Sequence, residues 1–352
     1  MKFKFGRSNM AITVYVPYDC ENTCPFCTSK KEYAKTKMDF EAVKAALQQA
    51  IKIPGITDVV FTGGEPTADI HKLYELIEIA KHKNVYVNTT LPQKNFFGIQ
   101  ELCDDGDITG INISRHATSF SEDCKLFHNI VDDWAFKGIS VPIKVNAVIT
   151  DKTTIEDVKA IIDRWKDDSN VTVCFRRDFR KTTPETLHAM SGDNILDYLF
   201  DNYEFASHGF CDVCDTVKFV ENIAFHRGLE KSSLKVGNTV IINDIIIFPD
   251  GFVAYDWDKK PISDLDGLIP TAASAKKAKK DAYFNEAAQD SSKPKKSDDS
   301  VVFTGSSCGV RQGCGLPTIH PTKIPSSSCG IGSSCGISYS SCRCGSFSGT
   351  CG

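Results

Sequence analysis

The chain has 352 residues, of which 41% are hydrophobic and 24% are charged, and its net charge is −4. This length predicts one large folded domain with appendages, and the nearly balanced charge predicts no specific attraction to nucleic acid or to an anionic membrane. The N-terminus lacks the apolar segment of a signal peptide, and no later run approaches the roughly eighteen apolar residues of a membrane span. We therefore expect a cytoplasmic protein, in which the fifteen cysteines indicate metal or redox chemistry rather than disulfides.

The first predicted strand, Ala11 to Val16, leads into a cluster of three cysteines. The run Tyr-Asp-Cys-Glu-Asn-Thr-Cys-Pro-Phe-Cys places Cys20, Cys24 and Cys27 within eight residues. Structural zinc normally takes four protein ligands, usually as two separated pairs. A zinc site completed from elsewhere and a set of unligated thiols both stay open, but three clustered thiolates favour an iron–sulfur cluster with one iron left free.

The spacing Cys-x3-Cys-x2-Cys, with Phe26 before the last cysteine, resembles the motif of the radical S-adenosylmethionine (SAM) enzymes. The resemblance implies that Cys20, Cys24 and Cys27 hold a 4Fe–4S cluster, that SAM chelates its open iron and that Phe26 packs near the adenine. It also implies an enzyme that cleaves SAM reductively to a 5′-deoxyadenosyl radical, which abstracts hydrogen from a substrate. An electron donor such as flavodoxin or ferredoxin is the implied partner.

Helices and strands alternate after the cysteines. Apolar residues at helical spacing predict a helix that begins near Asp39. Further strands are predicted over residues 58–62, 85–88, 110–114, 143–149 and 171–176, with helices over 69–83, 95–103, 121–136 and 154–166. This pattern predicts an α/β fold with a parallel sheet. A doubly wound sheet stays open on the pattern alone, whereas the family resemblance implies a partial (βα)6 barrel over residues 1–180.

A second motif follows the next strand. Phe-Thr-Gly-Gly-Glu-Pro places Gly63, Gly64 and Glu65 at the carboxyl end of that strand, where parallel sheets bind ligands. Alone, this sequence is an ordinary turn between a strand and a helix. One βα unit after the cysteines, it resembles the family motif that holds the amino group of SAM.

Polar residues at later strand ends are weaker candidates. The family resemblance implies SAM contacts for Thr89, Ser114, Arg115 and Asn146, and each of them is otherwise a polar residue at a strand end. Arg176, Arg177 and Arg180 have side chains suited to a carboxylate or a phosphate. His116, His188 and His208 have no ligand spacing, so we expect them at the surface.

Residues 181–260 are predicted to form a C-terminal extension with a helix near Ile195 and short antiparallel strands. The strands are Thr239 to Asn243, Ile245 to Phe248 and Phe252 to Tyr255, and they are expected to close the open side of the barrel. Cys211 and Cys214 are possible ligands of a second metal or cluster, or simply two thiols beside a turn.

The composition changes after residue 260. Residues 261–304 read as a flexible, lysine-rich linker, and residues 305–352 as a disordered low-complexity tail of Gly, Ser and Cys. The tail repeats Ser-Ser-Cys-Gly three times and holds seven cysteines: Cys308, Cys314, Cys329, Cys335, Cys342, Cys344 and Cys351.

Three interpretations of the tail stay open: it supplies ligands of an auxiliary cluster, it is a substrate of its own enzyme, or it binds metal loosely as a thiol-rich appendage. A peptide or protein is therefore the slightly favoured substrate. The alternatives are a small-molecule biosynthetic enzyme acting on a purine- or pterin-type precursor, and a thiol-rich metal-binding protein on an inactive core.

Overall fold

The protein is described by a computed structural model that covers residues 2–6, 10–16, 37–116 and 133–258, together with residues 20, 22, 24, 26, 27 and 262. Most of the helix predicted over 121–136 lies outside the described residues. The tail and, apart from residue 262, the linker lie outside them as well.

The described residues contain fourteen strands. They are β1 (Lys2–Phe5), β2 (Met10–Val16), β3 (Ile56–Gly63), β4 (Asn84–Thr89), β5 (Gly110–Ser114), β6 (Ile143–Ile149), β7 (Val171–Arg177), β8 (Phe205–Phe210), β9 (Cys214–Phe219), β10 (Ile223–Gly228), β11 (Ser233–Val236), β12 (Thr239–Ile242), β13 (Asp244–Ile247) and β14 (Val253–Ala254).

Five α-helices accompany the strands in the described ranges. They are α1 (Phe40–Ala50), α2 (Ile70–Ala80), α3 (Phe96–Asp104), α4 (Ile155–Trp165) and α5 (Asn194–Asn202). Short 3₁₀ turns occur at Pro66–Asp69, Gln93–Asn95, Asp133–Gly138 and Phe179–Lys181. The predicted helices that fall on described residues are present, with ends shifted by a few residues.

Side-chain caps explain where the helices begin. The carboxylates of Asp39 and Asp69 accept the backbone N–H groups of Ala42 and Lys72. Thr154 and Asp157 form a reciprocal capping box at the start of α4. These oxygens bind N–H groups that have no partner within the helix.

The main sheet has eleven strands in the order β14-β13-β2-β3-β4-β5-β6-β7-β10-β9-β8. The eight strands from β13 to β10 run parallel to one another. The α/β class is therefore confirmed. Strands β2 to β7 lie in sequence order, without the reversal of a doubly wound sheet, and this order is the winding of a barrel.

The two faces of the sheet differ in character. Alternate residues such as Val59, Ile111 and Val145 belong to one large apolar core that also contains Leu47 and Leu76 of α1 and α2. Strand residues between them point to the opposite face, because neighbouring side chains alternate. That second face, here called the inner face, carries polar residues on β4 to β7: Asn88, Asn112, Ser114, Lys144, Asn146, Thr172 and Arg176.

The C-terminal extension adds strands to both sides of the core sheet. Strand β10 pairs parallel with β7, and β9 and β8 follow it. On the other side, β13 pairs parallel with β2, the strand that precedes the cysteines. A separate sheet of three strands, β1-β12-β11, joins the N-terminus to the same extension.

None of the helices in the described part of the chain is long and apolar enough to cross a bilayer.

Candidate SAM and cluster site

The cysteine segment begins beside the Gly-Gly-Glu-Pro turn. In the pairing of β2 with β3, Val16 lies opposite Gly63, and the Gly64 N–H donates to the Val16 carbonyl at 3.1 Å. Gly63 has a φ of +137°, and a Cβ at this position would lie 2.0 Å from the Val16 oxygen. Only glycine allows this approach, so the first glycine of the motif brings the two motifs together.

The three cysteines are partly exposed and free of disulfides. The Cys27 N–H donates to the Cys24 carbonyl at 3.1 Å, and the Asn22 side-chain amide donates to the Cys20 sulfur at 3.4 Å. Burial raises the pKa of the Cys20 thiol, and the charges of Glu65 and Cys27 raise it further, against the lowering effect of Asn22. The thiol of Cys20 is therefore held mainly in its neutral form when no metal is bound.

The donor set suits an iron–sulfur cluster, because three thiols without disulfides lie on one short segment and thiolates are the ligands that such clusters take. Among the described residues, however, no three His, Cys, Asp or Glu side chains are arranged to hold a metal ion. That arrangement is the one a single ion needs, whereas the thiolates of a 4Fe–4S cluster bind different irons, so the three cysteines fit the cluster by their chemistry.

Glu65 is the polar centre of the turn. Its side chain is 3% exposed, and one carboxylate oxygen accepts the hydroxyls of Thr67 and Thr89 at 2.7 and 2.6 Å. The other oxygen accepts the N–H and the hydroxyl of Thr90 at 2.9 and 2.8 Å. The carboxylate therefore ties the end of β3 to the end of β4.

The end of β4 has an unusual backbone. Leu91 is fully buried and has a φ of +57°, a left-handed conformation that is rare for a residue with a branched side chain. Its N–H donates to the Thr89 hydroxyl at 2.9 Å. Thr89 thus contacts Glu65 and Leu91 and fixes the shape of this strand end.

Arg115 follows the end of β5 and is 1% exposed. One guanidinium nitrogen donates to the carbonyls of Thr90 and Ser114 at 2.7 and 2.8 Å, and the group lies 5.4 Å from the Phe136 ring centre. Burial lowers its pKa to about 9, with a further lowering from Arg164 and an opposing effect of Glu65. These contacts position the ends of β4 and β5, and a contact with SAM stays a prediction.

His116 is buried, at 5% exposure, so the expectation of a surface histidine was wrong. Its Nδ1 accepts the Val148 N–H at 3.0 Å, and its ring meets the Phe26 ring edge-on at 4.5 Å. Burial lowers the pKa of His116 to about 3, with Arg115 and Arg176 adding to the effect. The imidazole is therefore neutral, carries its proton on Nε2 and supports the cysteine segment through Phe26.

Ser114 and Asn146 lie opposite each other on β5 and β6. Asn146 is 7% exposed, and its side-chain oxygen has no hydrogen-bond partner among the described residues. A buried amide oxygen normally has a partner. This pair is thus the polar position near the predicted SAM site that fits a bound ligand best.

Comparison with known proteins relates part of the chain to one family. The family model of the radical SAM superfamily matches residues 14–175, which contain the cysteine segment and strands β3 to β6. This segment is therefore similar to the domain shared by the radical SAM superfamily. Members of this superfamily are enzymes that use a 4Fe–4S cluster and SAM.

A curated protein similar to this chain is 7-carboxy-7-deazaguanine synthase from Methanocaldococcus jannaschii. The two are 29% identical over 143 residues, which amount to 40% of this chain. The chain matches 58% of that relative's length. A solved structure, native anSMEcpe with bound AdoMet and Cp18Cys peptide, aligns with 75% of this chain and 81% of its own, with 14% identity and a TM-score of 0.47.

Two of the three candidate anion-binding arginines, which follow the matched segment, form ion pairs with carboxylates. Arg177 forms an ion pair with Asp193, and Arg180 forms one with Asp178. Arg176 lies on the inner face, opposite Val148 of β6 and His226 of β10. Arg176 therefore differs from Arg177 and Arg180, because it lies on the inner face and they form ion pairs with Asp193 and Asp178.

The second metal site predicted at Cys211 and Cys214 has no support. The Cys211 N–H donates to the Cys214 carbonyl at 2.8 Å, and both residues pack with Val213 and Leu229. Within the described ranges, no third His, Cys, Asp or Glu completes a metal site around them. These contacts are those of two thiols beside a turn.

Proposed function

We propose that this protein is an enzyme that binds a 4Fe–4S cluster through Cys20, Cys24 and Cys27, cleaves SAM reductively and removes hydrogen from a substrate. The observation that supports this most is the pairing of Val16 with Gly63, which brings the cysteine segment beside the Gly-Gly-Glu-Pro turn inside a matched radical SAM domain. When bound, the cluster would supply the electron that cleaves SAM and so begins hydrogen abstraction.

In this proposal the remaining site residues have two kinds of task. Ser114 and Asn146 bind SAM directly, which the partnerless oxygen of Asn146 supports. Glu65, Thr89 and Arg115 act on the backbone, since their polar groups bind neighbouring strand ends. Besides these, Gly63 and Gly64 hold the turn against β2, and Phe26 packs between His116 and the adenine.

The substrate class has two candidates. A peptide or protein, including the chain's own tail, stays the prediction from the cysteine-rich residues 305–352, which lie outside the described residues. A small molecule is supported by the curated relative, whose name is that of a synthase of a small heterocyclic acid. In either case a one-electron donor such as flavodoxin or ferredoxin is the proposed partner.

Formation of 5′-deoxyadenosine tests the proposal. The cluster is reconstituted anaerobically in the full chain and reduced, SAM is added, and the product is measured by chromatography. We expect product from the native chain, and loss of both bound iron and product in Cys20→Ala, Cys24→Ala and Cys27→Ala.

Cys103→Ala is the matched control, because Cys103 is buried in the core at 3% exposure and lies outside the motif. It should keep its iron and its product formation. A native chain that carries a full cluster and forms no 5′-deoxyadenosine would show that the proposal is wrong. Iron counted in a variant that ends at residue 300 separately tests whether the tail holds a second cluster.

A further inference from the structure

The inner face of the sheet carries a group of positive charges next to the proposed SAM site. Lys144 lies on β6, Arg176 on β7 and Lys218 on β9, and the register places all three on the same face. The core residues Val145, Phe175 and Val217 alternate with them and point the other way. Neighbouring strands thus bring three cations to one face of the sheet, where Lys144 and Arg176 are partly buried and Lys218 is exposed.

The strand register places these charges near one another, and the pKa of Lys144 agrees with this placement. Burial lowers the pKa of Lys144 to about 8, and the charges of Arg176 and Lys218 lower it further, whereas the Cys174 thiol raises it. Asp58, an acidic residue on the same face, lies on β3 and accepts the Asn84 amide at 2.7 Å. The positive charge is therefore concentrated on the side formed by β6, β7 and β9.

Buried hydrogen-bond acceptors lie next to the cations. Asn112 is 1% exposed and lies opposite Lys144; its side-chain nitrogen donates to Asn88 at 2.7 Å. Its oxygen has no hydrogen-bond partner among the described residues. Asn112 lies one row below Asn146, whose oxygen is assigned to SAM. A second buried oxygen without a donor points to a further ligand that brings an N–H or O–H group.

From this arrangement we infer that the inner face is the substrate pocket and takes a small acid, whose carboxylate or phosphate binds Lys144, Arg176 and Lys218 and whose N–H or O–H group binds Asn112. The inference rests on the proposed function, since it gives the substrate class of the same site. Arginine and lysine suit both anions, because each forms charge-assisted hydrogen bonds with their oxygens.

The test uses pairs of amine-reactive aldehydes that differ in one anionic group. Pyridoxal 5′-phosphate is compared with pyridoxal, and 4-formylbenzoate with benzaldehyde, on the full chain with its reconstituted, unreduced cluster. A lysine amine condenses with the aldehyde and releases water, borohydride reduces the imine to a stable amine, and peptide mass spectrometry gives the labelling rate at each lysine.

The exposed Lys235 on β11 is the internal standard for the intrinsic reactivity of each reagent. We expect the ratio of acid to neutral labelling at Lys144 to exceed that at Lys235 by about tenfold, as one charge-assisted bond requires. A higher ratio at Lys144 for pyridoxal 5′-phosphate and pyridoxal identifies a phosphate site. A higher ratio for 4-formylbenzoate and benzaldehyde identifies a carboxylate site. Equal ratios at Lys144 and Lys235 for both pairs would overturn the inference.

Variants distinguish binding of the anion in the pocket from a general effect of burial on the labelling of Lys144. Arg176→Met and Lys218→Met should lower the excess at Lys144, Arg176→Lys should keep most of it, and circular dichroism checks that each variant is folded. An excess that is unchanged in Arg176→Met would also overturn the inference. Labelling needs no turnover, so the two proposals can fail separately. If the chain forms 5′-deoxyadenosine but Lys144 shows no labelling excess, only this inference is wrong. If Lys144 shows the excess but no 5′-deoxyadenosine forms, only the proposed function is wrong.

Discussion

At the scale of single residues, Gly63 combines a positive φ with a steric clash for any added side chain. Its φ of +137° is strained for any residue with a side chain, and the space for a Cβ is filled by the Val16 carbonyl. Gly192 also has a positive φ, of +86°, but an added Cβ there would meet no atom within 4 Å. Comparing substitutions at the two glycines thus separates the cost of backbone strain from the cost of a steric clash.

We expect Gly63→Ala to lower the free energy of unfolding by more than about 3 kcal/mol, because strain and clash add. Gly192→Ala should lose only about 1 kcal/mol, from strain alone. Urea unfolding followed by circular dichroism measures both. Equal losses of stability in the two variants would show that the clash with the Val16 carbonyl does not add to the cost of replacing Gly63.

Sequence reasoning could place the site residues but not the direction of their side chains. The motifs were enough to bring Cys20, Val16 and Gly63 to one end of the sheet. The burial of Arg115 against Phe136 was beyond prediction, since it depends on a ring that follows more than twenty residues later. The regular alternation of β5 and β6 was the available signal for Asn112 and Lys144 on one face.

At the scale of helices and strands, Asp193 has two tasks at the start of α5. One carboxylate oxygen accepts the N–H groups of Ile195 and Leu196 at 3.1 and 3.3 Å. The other accepts the Arg177 Nε–H at 2.8 Å, at the end of β7. This carboxylate therefore begins a helix and also joins it to the sheet.

Asp193→Ala should cost about 2 to 3 kcal/mol of stability, because a helix cap and a charge-assisted bond are both lost. Asp39→Ala is the matched control, since Asp39 is exposed and caps α1 through the Ala42 N–H; we expect a loss of about 1 kcal/mol. Chemical denaturation measures both. If Arg177→Met leaves the cost of Asp193→Ala unchanged, the bond to the sheet contributes nothing.

The sequence predicted the core elements well and the extension poorly. Strands β5 and β6 have the predicted bounds, because compact β-branched runs and flanking breakers define them. Strands β8, β9 and β10 were not predicted. Val217 and Phe219 alternate with polar residues on β9, which was a usable signal, but pairing of β10 with β7 depends on contacts distant in sequence.

At the scale of the whole molecule, the sheet has a buried charge cluster on the face opposite the inner face. Asp215 of β9 is fully buried and accepts the Arg227 guanidinium at 2.5 Å, with His208 and His188 beside it. Arg227 also donates to the Thr186 carbonyl at 3.0 Å. The cluster therefore attaches the segment before α5 to the added strands.

This cluster makes the fold sensitive to acid. Burial alone would raise the pKa of Asp215, but hydrogen bonds from His188, His208 and Arg227 outweigh it and hold the pKa well below its usual range. Because the pKa is lower in the folded chain than in the unfolded chain, ionised Asp215 stabilises the fold above the unfolded value of about 4. That stability is lost as the pH falls towards the folded-state pKa.

The free energy of unfolding, measured in urea from about pH 7 to about pH 3, should therefore fall with pH below about 4. Asp215→Asn should be less stable at neutral pH and should show a weaker dependence on pH. Asp163→Asn, which removes an exposed pair with Lys166, should leave the dependence unchanged. An equal slope in Asp215→Asn and the native chain would contradict the assignment.

The parallel pairing of Ala11 to Val14 with Asp244 to Ile247 has a consequence for synthesis. At about 5 to 20 residues per second, β13 leaves the ribosome roughly ten to fifty seconds after β2. Throughout that interval β2 lacks one neighbour, and the cysteine segment that follows it is attached to an unfinished sheet. Iron loading that requires the complete sheet must wait until translation has passed residue 247, and until then the thiols of Cys20, Cys24 and Cys27 are open to oxidants.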